Sequence, residues 1–185
     1  MSLRSAVVVV VAFASLASIK AVLTLDNDGE RVLCRYFDPA WMASVKEQRA
    51  FEKSLFTKTY RAASDIIMLE GVTCVYKSSV DLFFYVIGAP DENELLLSFA
   101  LNTYFDALAQ MLRNQVEKRV VMENFDVVAL ALDELVDGGI ILEADPAVIV
   151  QHVAVRNNDE VPIAEQSISQ ALQTAKEQLS RSFLK

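Results

Sequence analysis

Leu82–Ile87 reads LFFYVI, a run with no polar break. Extended, it sends Leu82, Phe84 and Val86 to one side and Phe83, Tyr85 and Ile87 to the other, because strand side chains alternate. A strand apolar on both faces needs cover on both, so it belongs in the middle of a sheet with helices above and below. The rest of the chain must therefore supply neighbouring strands and one-sided helices.

Both are present. Ile19–Leu25 and Arg31–Tyr36 read as strands joined by Asp26-Asn27-Asp28-Gly29, residues that tolerate the positive φ of a tight turn. A calcium loop is excluded there. With Gly29 at the sixth position, Thr24 would stand first and Arg35 twelfth, and neither is a carboxylate ligand. Ser44 and Glu47 have capping-box spacing and open a helix to about Tyr60, with Phe51, Leu55 and Phe56 on one face. Ile66–Leu69 and Val72–Ser78 add strands, punctuated by Gly71 and Ser78-Ser79.

A second helix is expected from N-cap Asp91, with Glu94 at the capping-box position and a stripe of Leu97, Leu101, Tyr104, Leu108 and Met111. A third is expected from about Glu117 to Val136. It carries Val121, Phe125, Val128, Leu132 and Leu135, and Gly138-Gly139 stops it as a left-handed C-cap. Asp145-Pro146 predicts a short helix through His152, followed by a polar link over Arg156–Glu160. Ile163 to about Phe183 is amphipathic, with Ile168, Leu172, Ala175, Leu179 and Phe183 along one side. The order predicts an α+β domain over residues 19–143, with a C-terminal helical extension over 144–185.

Residues 1–18 (MSLRSAVVVVVAFASLAS) stand apart. Arg4, the apolar run Ala6–Ala14 and the small residues Ser15 and Ala17 have the layout of a signal peptide, while Val7–Val11 equally suit a buried strand. Only 15 uncharged residues separate Arg4 from Lys20, too few for a bilayer span of ~20.

Composition narrows the function. With 53% apolar residues in 185 there is ample core material. A net charge of −8 and no run of three basic residues argue against nucleic-acid binding. The single histidine removes His-based zinc motifs. Cys34 and Cys74 lie in apolar, strand-like runs, and their spacing allows buried free thiols or a disulfide.

No nucleophile elbow, P-loop, dinucleotide fingerprint or C-x-x-C is present. Asp133, Glu134 and Asp137 read as a solvated acidic face, Tyr76-Lys77-Ser78-Ser79 as a strand entering a turn, and Trp41 as a packing anchor. His152 reads as a helix-surface or partly buried residue. No catalytic, metal or cofactor site is expected, and the chain reads as a binding module rather than an enzyme.

Several long blocks resemble the zeta subunits of coatomer, the coat of COPI vesicles. They are Leu25–Arg31 (LDNDGER), Ser44–Lys53 (SVKEQRAFEK), Val75–Leu82 (VYKSSVDL), Tyr85–Gly88 (YVIG), Glu92–Leu95 (ENEL), Asp133–Gly139 (DELVDGG) and Ala175–Gln178 (AKEQ). The resemblance runs in order from about Ile19 to Lys185, and more weakly extends to the sigma small chains of clathrin adaptors. It implies a longin-like fold, a five-stranded antiparallel sheet with helices on both faces.

It also implies a non-catalytic coat subunit without cofactors. Its partners would be the coatomer gamma subunit, as a heterodimer, and the other coatomer subunits. Recruitment would be indirect, through an Arf-family GTPase. Such a chain works on the cytoplasmic face of the Golgi membrane and on COPI-coated vesicles, in Golgi-to-ER and intra-Golgi transport, with peripheral membrane association through the coat.

A sigma-like chain or another longin-domain trafficking protein is the alternative within the same class. A secreted or membrane-linked protein rests on residues 1–18 alone, and those residues depart from the family's usual short N-terminus. Ile168, Leu172, Leu179 and Phe183 are expected either to touch a partner or to fold back on their own domain.

Overall fold

The structure, a computed structural model, describes residues 19–62 and 64–159. Five strands form one antiparallel sheet: β1 (Ile19–Asp26), β2 (Arg31–Tyr36), β3 (Ile66–Leu69), β4 (Val72–Ser79) and β5 (Leu82–Gly88), in the spatial order β2-β1-β5-β4-β3. The doubly apolar strand is the central one, and every residue of β5 is buried. Its register with β1 pairs Leu23 with Tyr85, and its register with β4 pairs Tyr76 with Tyr85.

One helix, α1 (Val45–Thr59), covers the first face. Ser44 caps it as the sequence predicts: Glu47 N–H donates to Ser44 Oγ at 3.2 Å, and Ser44 N–H donates to the Glu47 carboxylate at 3.0 Å. Phe51 and Leu55 of α1 pack on Ala21, Leu23, Phe83, Tyr85 and Ile87. Burying each such side chain contributes about 1.5–3 kcal/mol, so this layer holds chiefly by apolar area.

The second face carries α2 (Glu94–Met111), α3 (Lys118–Glu123), α4 (Phe125–Leu135) and α5 (Pro146–Asp159). Leu97, Leu101, Tyr104 and Leu108 of α2 lie on Val22, Phe84 and Val86, while Val128 and Leu132 of α4 and Ile149 and Val153 of α5 complete that core. The broad stripe of α2 is explained by its position between the sheet and two further helices.

Four local expectations are corrected. The N-cap of α2 is Asn93, not Asp91, because Asn93 Oδ1 accepts Leu95 N–H at 2.9 Å. The single helix expected over Glu117–Val136 is broken at Asn124 (φ −123°, ψ 37°), where the side-chain amide donates to Val120 O at 2.8 Å. The break turns Phe125 off the buried stripe, leaving it exposed.

Gly138-Gly139 is not a helical C-cap. α4 ends with Val136 extended, and the two glycines (φ +55° and +85°) turn a short hairpin, β6 (Val136–Asp137) with β7 (Ile140–Ile141). Finally, α5 does not stop at His152. It runs to Asp159, helped by an ion pair between Arg156 and Glu134 of α4.

Candidate partner-docking surfaces

The residue sets that resemble chemistry are each occupied in holding the fold. Asp133 pairs with Arg35 across β2 and α4. Glu134 lies 3.0 Å from His152 Nδ1 and 2.8 Å from Arg156, fastening α5 to α4. Tyr76 faces α1 and stacks on Tyr85, whereas Lys77 faces α2, with its ammonium 3.2 Å from Asn102 Oδ1 and 4.3 Å from the centre of the Phe105 ring. Side chains on opposite faces of a strand cannot converge on one substrate. Trp41 is the expected anchor, set edge-on to Phe51 and beside Tyr36.

Cys34 and Cys74 are free thiols on β2 and β4, with β1 and β5 between them. Burial pushes the Cys74 thiol up to about 12, so it is not a thiolate near neutral pH. Among the described residues no group of three or more His, Cys, Asp and Glu side chains is placed to hold a metal ion. Likewise, no helix among them is long and apolar enough to cross a membrane.

Two polar clusters escaped sequence reasoning. Glu52 of α1 is 2% exposed and receives Arg31 through NH2 at 2.5 Å and Nε at 3.1 Å, with Tyr36 Oη donating at 2.9 Å. Three hydrogen bonds from two partners make this buried charge tolerable, and together they lock α1 onto β2. Asp26 accepts the backbone N–H groups of Asp28 and Glu30, and Lys118 Nζ lies 2.7 Å away. Burial raises the Asp26 pKa, but the Lys118 ammonium and the two N–H donors outweigh it and leave the carboxyl below its usual range. Seen in sequence, Glu52 is one polar residue on a mixed helix. Only the fold brings Arg31, 21 positions earlier, beneath it.

What the molecule offers to others is surface. Three exposed apolar groups stand out. Ile66 and Met68 lie on edge strand β3, with Leu95 exposed in the first turn of α2. Phe125 borders a groove against Val32, Ala129 and Leu132. Leu142 joins Phe37, Val136 and Arg156 around a groove of about 490 Å³ near the end of α5. The partner-contact residues read from the sequence, Ile168, Leu172, Leu179 and Phe183, lie outside the described residues.

Residues 18–160 match the family model of the clathrin adaptor complex small chain. The chain is 56% identical to human coatomer subunit zeta-1 over 171 residues, covering 92% of this chain and 96% of that one. It is 52% identical to human coatomer subunit zeta-2, covering 92% and 80%, and 43% identical to coatomer subunit zeta-1 of Arabidopsis thaliana, covering 90% and 97%. Among solved structures, a chain from a homology model of the full-length AP-3 complex in a stretched open conformation superposes with a TM-score of 0.61 at 20% identity, covering 82% of this chain and 98% of that chain. That likeness concerns the fold.

Proposed function

Because the chain belongs to the clathrin adaptor complex small-chain family, and within it to the coatomer zeta subunits, we propose that it serves the COPI coat by pairing one-to-one with the coatomer gamma subunit. The observation that carries this reading is 56% identity to a zeta subunit over nearly the whole of both chains. The same reading gives the chain its place on the cytoplasmic face of Golgi membranes and of COPI-coated vesicles, in Golgi-to-ER and intra-Golgi transport. Its contact with membrane and with an Arf-family GTPase would be indirect, through the assembled coat.

The physical role follows from the architecture. A sheet covered on both faces is a stiff block, and a partner gripping it gains an interface without ordering it first. A stable contact of this kind buries ~1,600 Å² in total. Of the described surface we assign the exposed apolar residues of β3 and the first turn of α2 to this contact, together with the sequence stripe Ile168, Leu172, Leu179 and Phe183 beyond α5.

The test is co-expression with the gamma subunit, followed by size-exclusion chromatography with light scattering. A one-to-one complex is expected. A folded chain that never associates would return the protein to the wider class of longin-like trafficking proteins. For the tail, Leu172→Asp with Leu179→Asp is expected to weaken that complex at least tenfold, and unchanged affinity would remove the stripe from the interface.

A further inference from the structure

The two edges of the sheet are not alike. β2 carries Arg31 and Arg35, the second exposed and ion-paired to Asp133, and a charged edge discourages strand addition. β3 is Ile66-Ile67-Met68-Leu69, four apolar residues without charge, proline or bulge. Ile67 and Leu69 turn toward the α1 layer, while Ile66 and Met68 stand 41% and 68% exposed on the α2 side. An edge of this composition is sticky unless something covers it.

Among the described residues its backbone is open at one place. The β3–β4 hairpin closes on Leu69 and Val72 around Glu70-Gly71, and Tyr76 N–H donates to Asp65 O at 2.9 Å. Antiparallel alternation then directs the N–H and C=O of Ile67 toward β4 and those of Ile66 and Met68 outward. The Ser64 hydroxyl occupies the outward groups of Ile66, donating to its carbonyl at 2.8 Å and accepting its N–H at 3.3 Å. Among the described residues Met68 has no such cover. At the Asp65 end of β3, Asp65, Val75, Lys77, Ser98, Leu101 and Asn102 line a groove of about 470 Å³ between β4 and α2.

Charge selects the occupant. Asp65 and Glu70 bracket β3, both exposed and neither in an ion pair among the described residues. A second copy of this chain pairing edge to edge would set Asp65 against Glu70 when antiparallel, or each acid against itself when parallel. Like charges so placed oppose pairing. A foreign strand with an apolar centre and Lys or Arg at its ends meets both the stripe and the rim.

We propose that β3 is the seat of an extended, basic-flanked segment of the large coat subunit, which adds to the sheet as a sixth strand through the Met68 N–H and C=O and covers Ile66 and Met68. This rests on the pairing proposed above and names where it is made.

The experiment uses the full-length chain with the full-length gamma subunit. Hydrogen exchange at the Met68 amide is expected to slow at least tenfold on complex formation, and an unchanged rate overturns the proposal. Met68→Lys, and separately Met68→Pro, which removes the outward donor together with the apolar side chain, are each expected to weaken the complex at least tenfold. Leu142→Lys, at a distant surface, is expected to leave it unchanged, with folding of each variant checked by circular dichroism. Wild-type affinity for Met68→Pro overturns strand addition, and equal loss in all three variants overturns the assignment to β3. Self-association of the isolated chain that Met68→Lys abolishes would give the edge to a second copy and overturn the proposal too. If the wild-type chain does not bind gamma at all, it is the pairing itself that fails, a result distinct from these.

Discussion

Gly139 accepts the Ile19 N–H through its carbonyl at 2.8 Å, and a Cβ built on it would lie 2.6 Å from the Ile19 carbonyl oxygen. The β6–β7 hairpin is thereby pressed against the start of β1, with no room for a side chain.

Gly139 and its neighbour separate two effects. Both have positive φ, +85° and +55°, but a Cβ on Gly138 meets nothing within 4 Å. Gly138→Ala is expected to cost only the left-handed backbone penalty, about 1 kcal/mol. Gly139→Ala adds displacement of the Ile19 backbone and is expected to cost about 3 kcal/mol, using the 1–3 kcal/mol typical of overpacking. Urea denaturation of the two variants checks this, and equal losses would mean the hairpin yields freely.

The Arg31–Glu52–Tyr36 cluster gives a second prediction. Removing one partner of a buried ion pair strands the other, so Glu52→Ala is expected to destabilise by about 3–5 kcal/mol. Replacing both charges, as Arg31→Met with Glu52→Leu, is expected to cost less than either single change, because no charge is then left in the core. Chemical denaturation of the two singles and the double closes the cycle, and strictly additive losses would show that the pair is not coupled.

These two cases mark what could be read in the chain. The strands, the central place of Leu82–Ile87 and the Ser44 cap were legible because each rests on local alternation or on a spacing of three residues. The Asn124 break was not. Val121, Val128, Leu132 and Leu135 keep a helical period across it, and an asparagine that turns its amide onto Val120 O leaves no mark on that period. Gly138-Gly139 was legible as the stop of a helix but not as the turn of a hairpin, since two-residue strands carry no alternation. The exposure of Ile66 and Met68 was hidden for another reason: an edge strand and a central one share the same composition, and only sheet order tells them apart.

Asp26 predicts an acid limb. Its folded pKa lies below the ordinary carboxylate value of 3.8, so the ionised form is favoured in the native state. The stability it contributes is therefore present above that unfolded value and is lost as pH falls through the folded one. Asp26→Asn is expected to make stability less dependent on pH below about 4 than in the wild type. It also costs about 2 kcal/mol near neutrality, through the weakened bonds to Asp28 N–H, Glu30 N–H and Lys118. Urea midpoints across the acid range compare the two proteins, and parallel curves would show that Asp26 does not carry the shift.

The last prediction concerns α5, which ends the described residues. α5 is held in two ways, by burial of Ile149 and Val153 and by the grip of Glu134 on His152 and Arg156. The apolar pair contributes about 1.5–3 kcal/mol per side chain, the larger share, so α5 is expected to stay docked without the ionic one. Glu134 is only 12% exposed while its partners are half-exposed, so its loss frees them to water and costs about 1 kcal/mol. Glu134→Ala is thus expected to speed amide exchange about fivefold over Gln151–Arg156 and to leave β5 unchanged, the signature of local opening rather than global loss. If exchange in α5 is unaltered, burial alone fixes the helix. If β5 accelerates equally, Glu134 supports the whole domain. A local effect would make Glu134 the residue that pins the second half of α5 to α4.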